Sequence, residues 1–224
     1  MTVLLFDIDG TLVRTGGAGK AAIEAALVEE FQVELTGKEV PYSGRTDRAI
    51  SKDLLQGHGI PATDTNINRL IANYLNRLPT ALATIPGRIL PGIVELLSLL
   101  QTRTAIQVGL LTGNVRQGAC YKLAHFGLWE YFKFGGFGDH HEDRDDVARA
   151  ALLEVERTVG TILPEQVWVI GDTPLDVRCA RAIGARSIAV ATGWHLFEQL
   201  CETDADLVLP DLSQPEPLLA LWNN

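Results

Sequence analysis

The chain has few cysteines and no long apolar run. Its three cysteines, Cys120, Cys179 and Cys201, are widely spaced and form no C-x-x-C pair, so neither a zinc site nor a disulfide framework is indicated. We expect each to be a small core residue. No apolar stretch approaches the roughly 20 residues of a membrane span, and Asp7 interrupts the N-terminal apolar run too early for a signal peptide. These absences predict a soluble, cytoplasmic protein with no membrane partner.

Basic residues are outnumbered by acidic ones, with 19 Lys and Arg against 28 Asp and Glu and a net charge of −9. This surplus argues against nucleic acid or an anionic membrane as the main partner. It does not exclude a phosphorylated substrate, because local basic residues or a bound metal can reverse the sign within a pocket. The length of 224 residues suits one large domain, or one domain carrying a smaller insert.

The segment 15–87 contains no convincing strand. Apolar residues recur at helical spacing in three stretches, 20–33, 46–56 and 64–82, which predicts three helices. Pro79 is expected to end or kink the third helix, because proline lacks the N–H that a helix interior uses.

The rest of the chain alternates short apolar runs with helical patterns. We expect strands at 3–6, 107–111, 132–137, 167–170, 187–191 and 207–209. Such alternation implies right-handed crossovers and a parallel sheet covered on both faces. The predicted fold is therefore α/β, a doubly wound Rossmann-like parallel sheet. Its core domain would be residues 1–14 and 88–224, with an all-helical cap domain, residues 15–87, inserted after the first strand.

Polar side chains stand at the ends of three predicted strands. Asp7 and Asp9 follow the first strand and, being two residues apart, project the same way. Thr112 and Asp172 follow two others. Ligands of open parallel sheets bind beyond the carboxyl ends of the strands, so we expect one site there, with the helical insert above it as a lid. The alternative for the two acids is a pair of solvated turn residues.

Three motifs occur at these strand ends. They match D-x-D-G-T, a hydrophobic strand ending in Thr or Ser, and G-D-x-x-x-D, and they read Asp7-Ile8-Asp9-Gly10-Thr11, Leu110-Leu111-Thr112-Gly113-Asn114 and Gly171-Asp172-Thr173-Pro174-Leu175-Asp176. By these motifs the chain resembles the haloacid dehalogenase superfamily of phosphoryl-transfer enzymes, in the subgroup with an all-helical cap. The resemblance covers nearly the whole chain.

The resemblance implies roles for the acidic residues. Asp7 would be the nucleophile that forms an aspartyl-phosphate, and Asp9 would protonate the leaving alkoxide and then activate water. Mg²⁺ would be held by the side chains of Asp7 and Asp172 and the backbone carbonyl of Asp9, because this ion prefers oxygen ligands. For Asp176 two compatible roles stay open, a ligand near the metal and a helix cap formed with Thr173.

The same resemblance assigns the substrate phosphate to the second motif. The hydroxyl of Thr112 and the amide of Gly113 would hold the phosphate. Asn114 and Gln117 repeat a capping pattern, which would place a helix N-terminus beside the anion. The alternative for Thr112 is simply a strand end with a hydroxyl.

The family also uses a cation ahead of the Gly-Asp strand, usually in a Lys-Pro pair that this chain lacks. Arg144 is the only Lys or Arg in the acidic window 139–146, and an arginine fork can bridge an aspartate and a phosphate oxygen. A solvated charge run is the alternative, with Arg116 as the fallback cation. His140 and His141 in this window do not favour a transition-metal site, because adjacent histidines point in different directions.

The presence of Asp9 favours cleavage of a C–O–P ester, since the dehalogenases of this superfamily lack that second acid. We expect a Mg²⁺-dependent phosphatase that hydrolyses a small phosphorylated metabolite, phosphoglycolate-like or a sugar phosphate. The cap segment Gly44-Arg45-Thr46-Asp47 resembles the phosphoglycolate-phosphatase branch. Substrate contacts are expected at Arg45, with Lys20 and Arg48 nearby, against the alternative of a solvated helix end.

Other functions remain open at this stage. The chain could be a phosphomutase related to the β-phosphoglucomutases, which share these motifs. A non-enzyme alternative is a receiver-type phospho-acceptor module, but that fold lacks a helical insert and a D-x-D-G-T motif. A pseudo-enzyme is disfavoured because Asp7, Asp9, Thr112 and Asp172 are all present. Either a monomer or a homodimer is compatible with the sequence.

Overall fold

A six-stranded parallel sheet forms the centre of the structure, a computed structural model that describes residues 1–37 and 40–222. The strands are β1 (Thr2–Phe6), β2 (Val13–Arg14), β3 (Arg88–Ile89), β4 (Ile106–Leu111), β5 (Gly135–Gly136), β6 (Val167–Gly171), β7 (Arg186–Val190) and β8 (Leu207–Leu209). The sheet has the order β5-β4-β1-β6-β7-β8, and β2 pairs with β3 separately.

Helices connect these strands. They are α1 (Ala18–Phe31), α2 (Asp47–Gly57), α3 (Asp64–Thr84), α4 (Ile93–Gln101), α5 (Arg116–His125), α6 (Arg144–Val159), α7 (Pro174–Ala182), α8 (Phe197–Cys201) and α9 (Glu216–Trp222). Short 3₁₀ turns occur at Trp129–Tyr131 and Pro164–Gln166. The prediction of a doubly wound α/β fold is confirmed.

Strand β1 lies in the middle of the sheet, between β4 and β6. Its side chains alternate between two cores, because successive residues of a strand face opposite ways. Leu4 and Phe6 belong to one hydrophobic cluster, and Val3 and Leu5 belong to the other. The chain leaves β1 toward β4 on one side and later adds β6 to β8 on the other, so the strand order reverses at β1. A reversal of this kind opens a crevice for ligands.

The helices α1, α2 and α3 pack on one another around one hydrophobic cluster, to which Val115 at the start of α5 also belongs. Of the two predicted effects of Pro79, an end or a kink in the third helix, the end is wrong, since α3 continues to Thr84; the kink stays a prediction. Leu78 and Leu82, on either side of the proline, are both buried in this cluster. Packing of that stripe holds the helix together across an exposed proline.

Short strands are where the sequence-based prediction was least accurate. The expected strand at 132–137 is reduced to Gly135–Gly136, which pairs with the end of β4. Strands β2 and β3, at the two ends of the helical segment, were not predicted. They pair antiparallel, with Val13 opposite Ile89 and Arg14 opposite Arg88. The chain therefore enters and leaves the helical segment through two adjacent strands.

The three cysteines differ in their exposure. All three cysteines are free thiols, but only Cys179 is buried, whereas Cys201 is exposed. The expectation of a core position is therefore wrong for Cys201. Within residues 1–37 and 40–222, no helix has the length and apolar character needed to cross a membrane.

Candidate active site

Asp7 lies directly beyond the end of β1, and its backbone N–H donates to the Ile170 carbonyl oxygen at 2.9 Å, which extends the pairing with β6. Its side chain is buried and meets Arg144, the first residue of α6, with Arg144 Nη2 2.9 Å from Asp7 Oδ1. The guanidinium is itself only 4% exposed. A buried charge that is paired in this way is costly to separate from its partner.

Two more acids complete a buried cluster around Asp7. Asp172 follows β6, Asp176 lies in the first turn of α7, and carboxylate oxygens of the three aspartates lie within 4.8 Å of one another. Burial raises the pKa of Asp7 to about 6 against the opposing effect of Arg144, with Asp176 and Asp9 adding to the rise. Burial, together with Asp176 and Asp7, also holds the pKa of Asp172 well above its usual range.

The charge of this cluster is unbalanced, because one guanidinium faces three carboxylates. Oxygen donors with surplus negative charge suit a hard divalent cation such as Mg²⁺. In the part of the chain that the structure describes, these aspartates are the only group of three His, Cys, Asp or Glu residues close enough to share an ion. The window with His140 and His141 forms no such group among the described residues.

Asp176 is a helix cap, as one of its two predicted roles required. Asp176 Oδ2 accepts hydrogen bonds from the N–H and hydroxyl of Thr173 at 3.0 and 2.7 Å, and the Asp176 N–H donates to Thr173 Oγ1 at 3.3 Å. The capping box is therefore confirmed. Its other oxygen, Oδ1, contacts Arg144. Both oxygens of Asp176 are thus engaged by the protein.

Asp9 points to a different set of partners from Asp7. Asp9 Oδ2 accepts hydrogen bonds from Lys122 Nζ at 2.5 Å and from Asn114 Nδ2 at 2.9 Å. Lys122 lies on α5, and sequence reasoning did not single it out. A signal was present, because Lys122 falls on the same buried face of α5 as Gly118, Ala119 and Leu123. A lysine within an otherwise small and apolar stripe is a candidate for a buried charge.

The second motif is arranged differently from the predicted cap. Helix α5 begins at Arg116 with Val115 as its N-cap and no capping side chain, so the prediction that Asn114 and Gln117 form a capping pair is wrong. The Asn114 side chain instead donates to Thr112 Oγ1 at 2.8 Å and to Asp9.

Two carboxylates from distant parts of the sequence accept hydrogen bonds from backbone N–H groups at the start of α5. Asp47 Oδ2 accepts from the Val115 N–H at 2.8 Å, and Asp139 Oδ2 accepts from the Arg116 N–H at 2.9 Å. Negative charge is favourable at a helix N-terminus. Burial raises the pKa of Asp47 to about 6, although Lys122 and the Val115 N–H act against this rise.

The cap segment predicted to contact substrate packs directly on the second motif. The Asp47 N–H donates to the Gly113 carbonyl oxygen at 2.8 Å, and a Cβ at Gly113 would collide with the Arg45 carbonyl oxygen. A glycine is therefore required at 113 for this close approach. Thr46 Oγ1 also donates to the Glu142 carbonyl oxygen at 3.0 Å. These bonds dock the helical segment on the sheet.

A cavity of about 1110 Å³ lies where the helical segment meets the strand ends. Predicted site residues on its wall are Asp7, Asp9, Arg45, Thr112, Gly113, Asn114 and Arg144, joined by Lys20 and Lys122. Arg48 is not on this wall and pairs with Asp64 and Asn68 instead, with a side chain that is only 12% exposed. Arg116 stacks over the ring of Phe137, so Arg144 is the cation beside Asp7.

Comparison with known proteins agrees with this geometry. Residues 4–190 match the family model described as haloacid dehalogenase-like hydrolase. Phosphoglycolate phosphatase of Escherichia coli (strain K12) is 24% identical, over 96% of this chain and 91% of the relative. A protein of Dickeya dadantii named "Probable phosphatase IndB" is 25% identical, over 95% and 90% of the two chains.

A solved structure shares the fold. CbbY from Rhodobacter sphaeroides, in complex with phosphate, superimposes with a TM-score of 0.77 at 20% identity and covers 96% of both chains.

The chain belongs to the haloacid dehalogenase-like hydrolases. Within that superfamily it is a phosphoric monoester hydrolase.

Proposed function

We propose that the chain is a Mg²⁺-dependent phosphatase that cleaves a small phosphate monoester through an aspartyl-phosphate on Asp7. The observation that carries this proposal is the placement of Asp7. Its carboxylate is buried at the central strand end, contacts Arg144, belongs to a cluster of three acids and faces the cavity. A carboxylate in this setting is a candidate nucleophile toward phosphorus.

The acid cluster fits a divalent cation because its negative charge exceeds the one guanidinium present. Asp7 and Asp172 would hold Mg²⁺ through side-chain oxygens and Asp9 through its backbone carbonyl. Asp176, whose oxygens bond to Thr173 and Arg144, would lie beside the ion and add charge. When bound, the ion would neutralise the repulsion between these carboxylates and a phosphate group.

The remaining residues divide the reaction between them. Thr112 would donate its hydroxyl hydrogen, and Gly113 its N–H, to phosphate oxygens, while Arg144 holds the Asp7 carboxylate in place and neutralises charge on the phosphoryl group. Asp7 attacks phosphorus and the ester oxygen leaves. Asp9 donates a proton to that oxygen and then accepts one from the water that hydrolyses the aspartyl-phosphate, acid–base work typical of about 10²–10⁴-fold.

The helical segment 15–87 would serve as a cap domain on a core made of 1–14 and 88–224. Lys20 and Arg45, which line the cavity from this segment, suit a substrate with a second anionic group beside its phosphate. Phosphoglycolate has such a group, and the relatives named phosphoglycolate phosphatase support this class. We therefore infer a phosphoglycolate-like substrate, with a sugar phosphate, whose hydroxyl groups would take the place of the second anion, as the alternative.

Phosphate release from 4-nitrophenyl phosphate, and then from a panel of phosphorylated metabolites, tests the proposal. Asp7→Asn should lower turnover by about 10⁴-fold or more, on the scale found for removed nucleophiles, with an unchanged circular dichroism spectrum. Asp146→Asn, an exposed acid on α6, is the matched control and should keep full activity.

Three results would count against the proposal. An active Asp7→Asn variant would refute the assigned nucleophile. Turnover that survives EDTA would refute the metal requirement. Conversion of β-glucose 1-phosphate into glucose 6-phosphate would identify a mutase instead.

A further inference from the structure

Lys122 is a buried lysine that the proposed reaction does not use. Its side chain is 6% exposed, and its ammonium lies 2.5 Å from Asp9 Oδ2 and 2.6 Å from Asn114 Oδ1. Burial disfavours the ammonium, but Asp9 and Asp47 more than offset this, so the pKa of Lys122 is raised. A buried charge is kept only where its partners compensate for the lost water.

Lys122, Asn114 and Asp9 form a closed ring of hydrogen bonds. The ammonium donates to both partners, and the Asn114 amide donates in turn to Asp9 Oδ2 at 2.9 Å. Two donors therefore hold one oxygen of Asp9. Among residues 1–37 and 40–222, Asp9 Oδ1 accepts no hydrogen bond, and the side chain of Asp9 is 41% exposed on the cavity wall. The ring leaves Oδ1 as the oxygen available to a substrate.

An orientation of this kind has to be imposed on Asp9. The residue lies in the turn after β1, outside any regular strand, where an exposed aspartate would otherwise sample several side-chain rotamers. Displacement of a catalytic group by about 1 Å can cost about 10²-fold in rate. A residue that fixes the rotamer of Asp9 therefore has a direct effect on a proton transfer.

The helical segment closes over the ammonium. A Cβ at Gly19, in the first turn of α1, would lie 3.4 Å from Lys122 Nζ. Gly19 of α1 therefore lies beside this ammonium, and the Lys122 side chain is shielded from water, with only 6% of it exposed. Shielding strengthens the pairing with Asp9, because electrostatic attraction grows as the local dielectric falls.

We propose that Lys122 is a positioning residue, which orients the Asp9 carboxyl group toward the leaving oxygen of the substrate. This inference rests on the proposed phosphatase function. It predicts that the loss of Lys122 acts on the proton delivered to the leaving group rather than on phosphate binding. The competing explanation is a direct bond between Lys122 and the substrate phosphate.

A matched pair of substrates separates these explanations. The 4-nitrophenolate of 4-nitrophenyl phosphate leaves as a stable anion, whereas the alkoxide of 4-nitrobenzyl phosphate needs a proton. Single-turnover phosphorylation rates are measured for both substrates with wild type, Lys122→Met and the control Lys133→Met, which removes the same charge from an exposed residue. The inhibition constant of inorganic phosphate is measured for each protein, and circular dichroism and thermal melting check the fold.

We expect Lys122→Met to slow phosphorylation by the benzyl ester about 10²-fold and by the phenyl ester less than about fivefold. The inhibition constant for phosphate should stay within about threefold of wild type, and Lys133→Met should match wild type throughout. Equal slowing of both esters, no slowing of either, or a phosphate inhibition constant raised about tenfold or more would overturn the inference. A wild-type protein that turns over neither ester would overturn the proposed function and this inference together.

A second variant tests the inference if Lys122→Met does not fold. Lys122→Arg keeps a cation that can reach Asp9 and should restore most of the benzyl-ester rate. If Lys122→Arg folds and gives the same ester ratio as a folded Asp9→Asn variant, the positioning role is wrong.

Discussion

Arg144 is shared between Asp7 and Asp176, with its Nη2 2.9 Å from Asp7 Oδ1 and in contact with Asp176 Oδ1. All three side chains are buried. One guanidinium thus compensates two carboxylates on different elements, the end of β1 and the start of α7. Without it, the acid cluster would hold uncompensated buried charge.

Arg144→Met should therefore destabilise the metal-free protein. We expect the free energy of unfolding, measured by urea denaturation with EDTA present, to fall by about 3–5 kcal/mol, the usual cost of removing one partner from a buried ion pair. Arg144→Lys should lose less, because it keeps a charge but not the planar fork. Arg149→Met, at an exposed position of the same helix, should stay within about 0.5 kcal/mol of wild type. Equal stability of the two methionine variants would contradict the prediction.

Mg²⁺ should stabilise the folded chain independently of any turnover. At a free Mg²⁺ concentration of about 100 times Kd, the free energy of unfolding should rise by about 2.7 kcal/mol, because the ion binds the folded state. Thermal melts with and without Mg²⁺ measure this stabilisation. It should be much smaller in Asp172→Asn, since this variant removes one charge from the cluster. Asp146→Asn, with its exposed acid, should respond as wild type does. If Mg²⁺ stabilises Asp172→Asn and Asp146→Asn equally, Asp172 does not hold the ion.

Asp47 should make the stability of the metal-free chain depend on pH. Burial raises its pKa from 3.8 to about 6, so the folded chain holds a proton there that the unfolded chain has released. This contribution to stability is present below about pH 4 and is lost as the pH rises through about 6. Asp47→Asn keeps an oxygen for the Val115 N–H and cannot titrate. The stability of wild type relative to this variant should fall by about 1–3 kcal/mol between about pH 4 and pH 7.

Urea denaturation of both proteins with EDTA, at several pH values, measures this difference. Titration of the other acids occurs in both proteins and largely cancels. The raised pKa of Asp47 would be contradicted if the stability difference between wild type and Asp47→Asn stayed constant with pH. It would also be contradicted if wild type became the more stable of the two as the pH rises.

Pro79 should be replaceable with a gain in stability. It lies at an exposed position inside α3, where it supplies no N–H to the helix. Pro79→Ala restores that donor, and we expect about 1–2 kcal/mol of stabilisation after the lost rigidity of the unfolded chain is subtracted. Thr80→Ala, a neighbouring exposed site, should gain no more than about 0.7 kcal/mol. A less stable Pro79→Ala would show that the proline shapes α3 in a way that its burial pattern does not reveal.

The sequence was sufficient to predict which motifs come together, and the reason is geometric. Asp7, Thr112 and Asp172 each follow a strand, and parallel strands carry their ends to one edge of a sheet. The alternation of strands and helices was visible in the apolar pattern, so the fold followed from it. Arg144 could be singled out because its window offered no other cation.

Other features depend on contacts that no local pattern encodes. The Lys122 ammonium bonds to Asp9 across 113 positions, and Asp47 accepts a hydrogen bond from the Val115 N–H across 68. The two-residue strands β2 and β3 are too short to show any alternation. The persistence of α3 past Pro79 depends on packing of Leu78 and Leu82 rather than on helix propensity. In each case the deciding interaction is a tertiary contact that the local sequence pattern does not specify.

Strands β2 and β3 have a consequence for how such a chain can be rebuilt. Because Val13 pairs with Ile89 and Arg14 with Arg88, the two ends of the helical segment lie about one strand spacing apart, roughly 4.8 Å. A foreign segment whose two ends lie equally close together would join β2 and β3 without distorting the sheet. We expect that grafting a different set of helices here would change the side of the cavity that faces the strand ends, while Asp7, Asp172 and Asp176 stay in place.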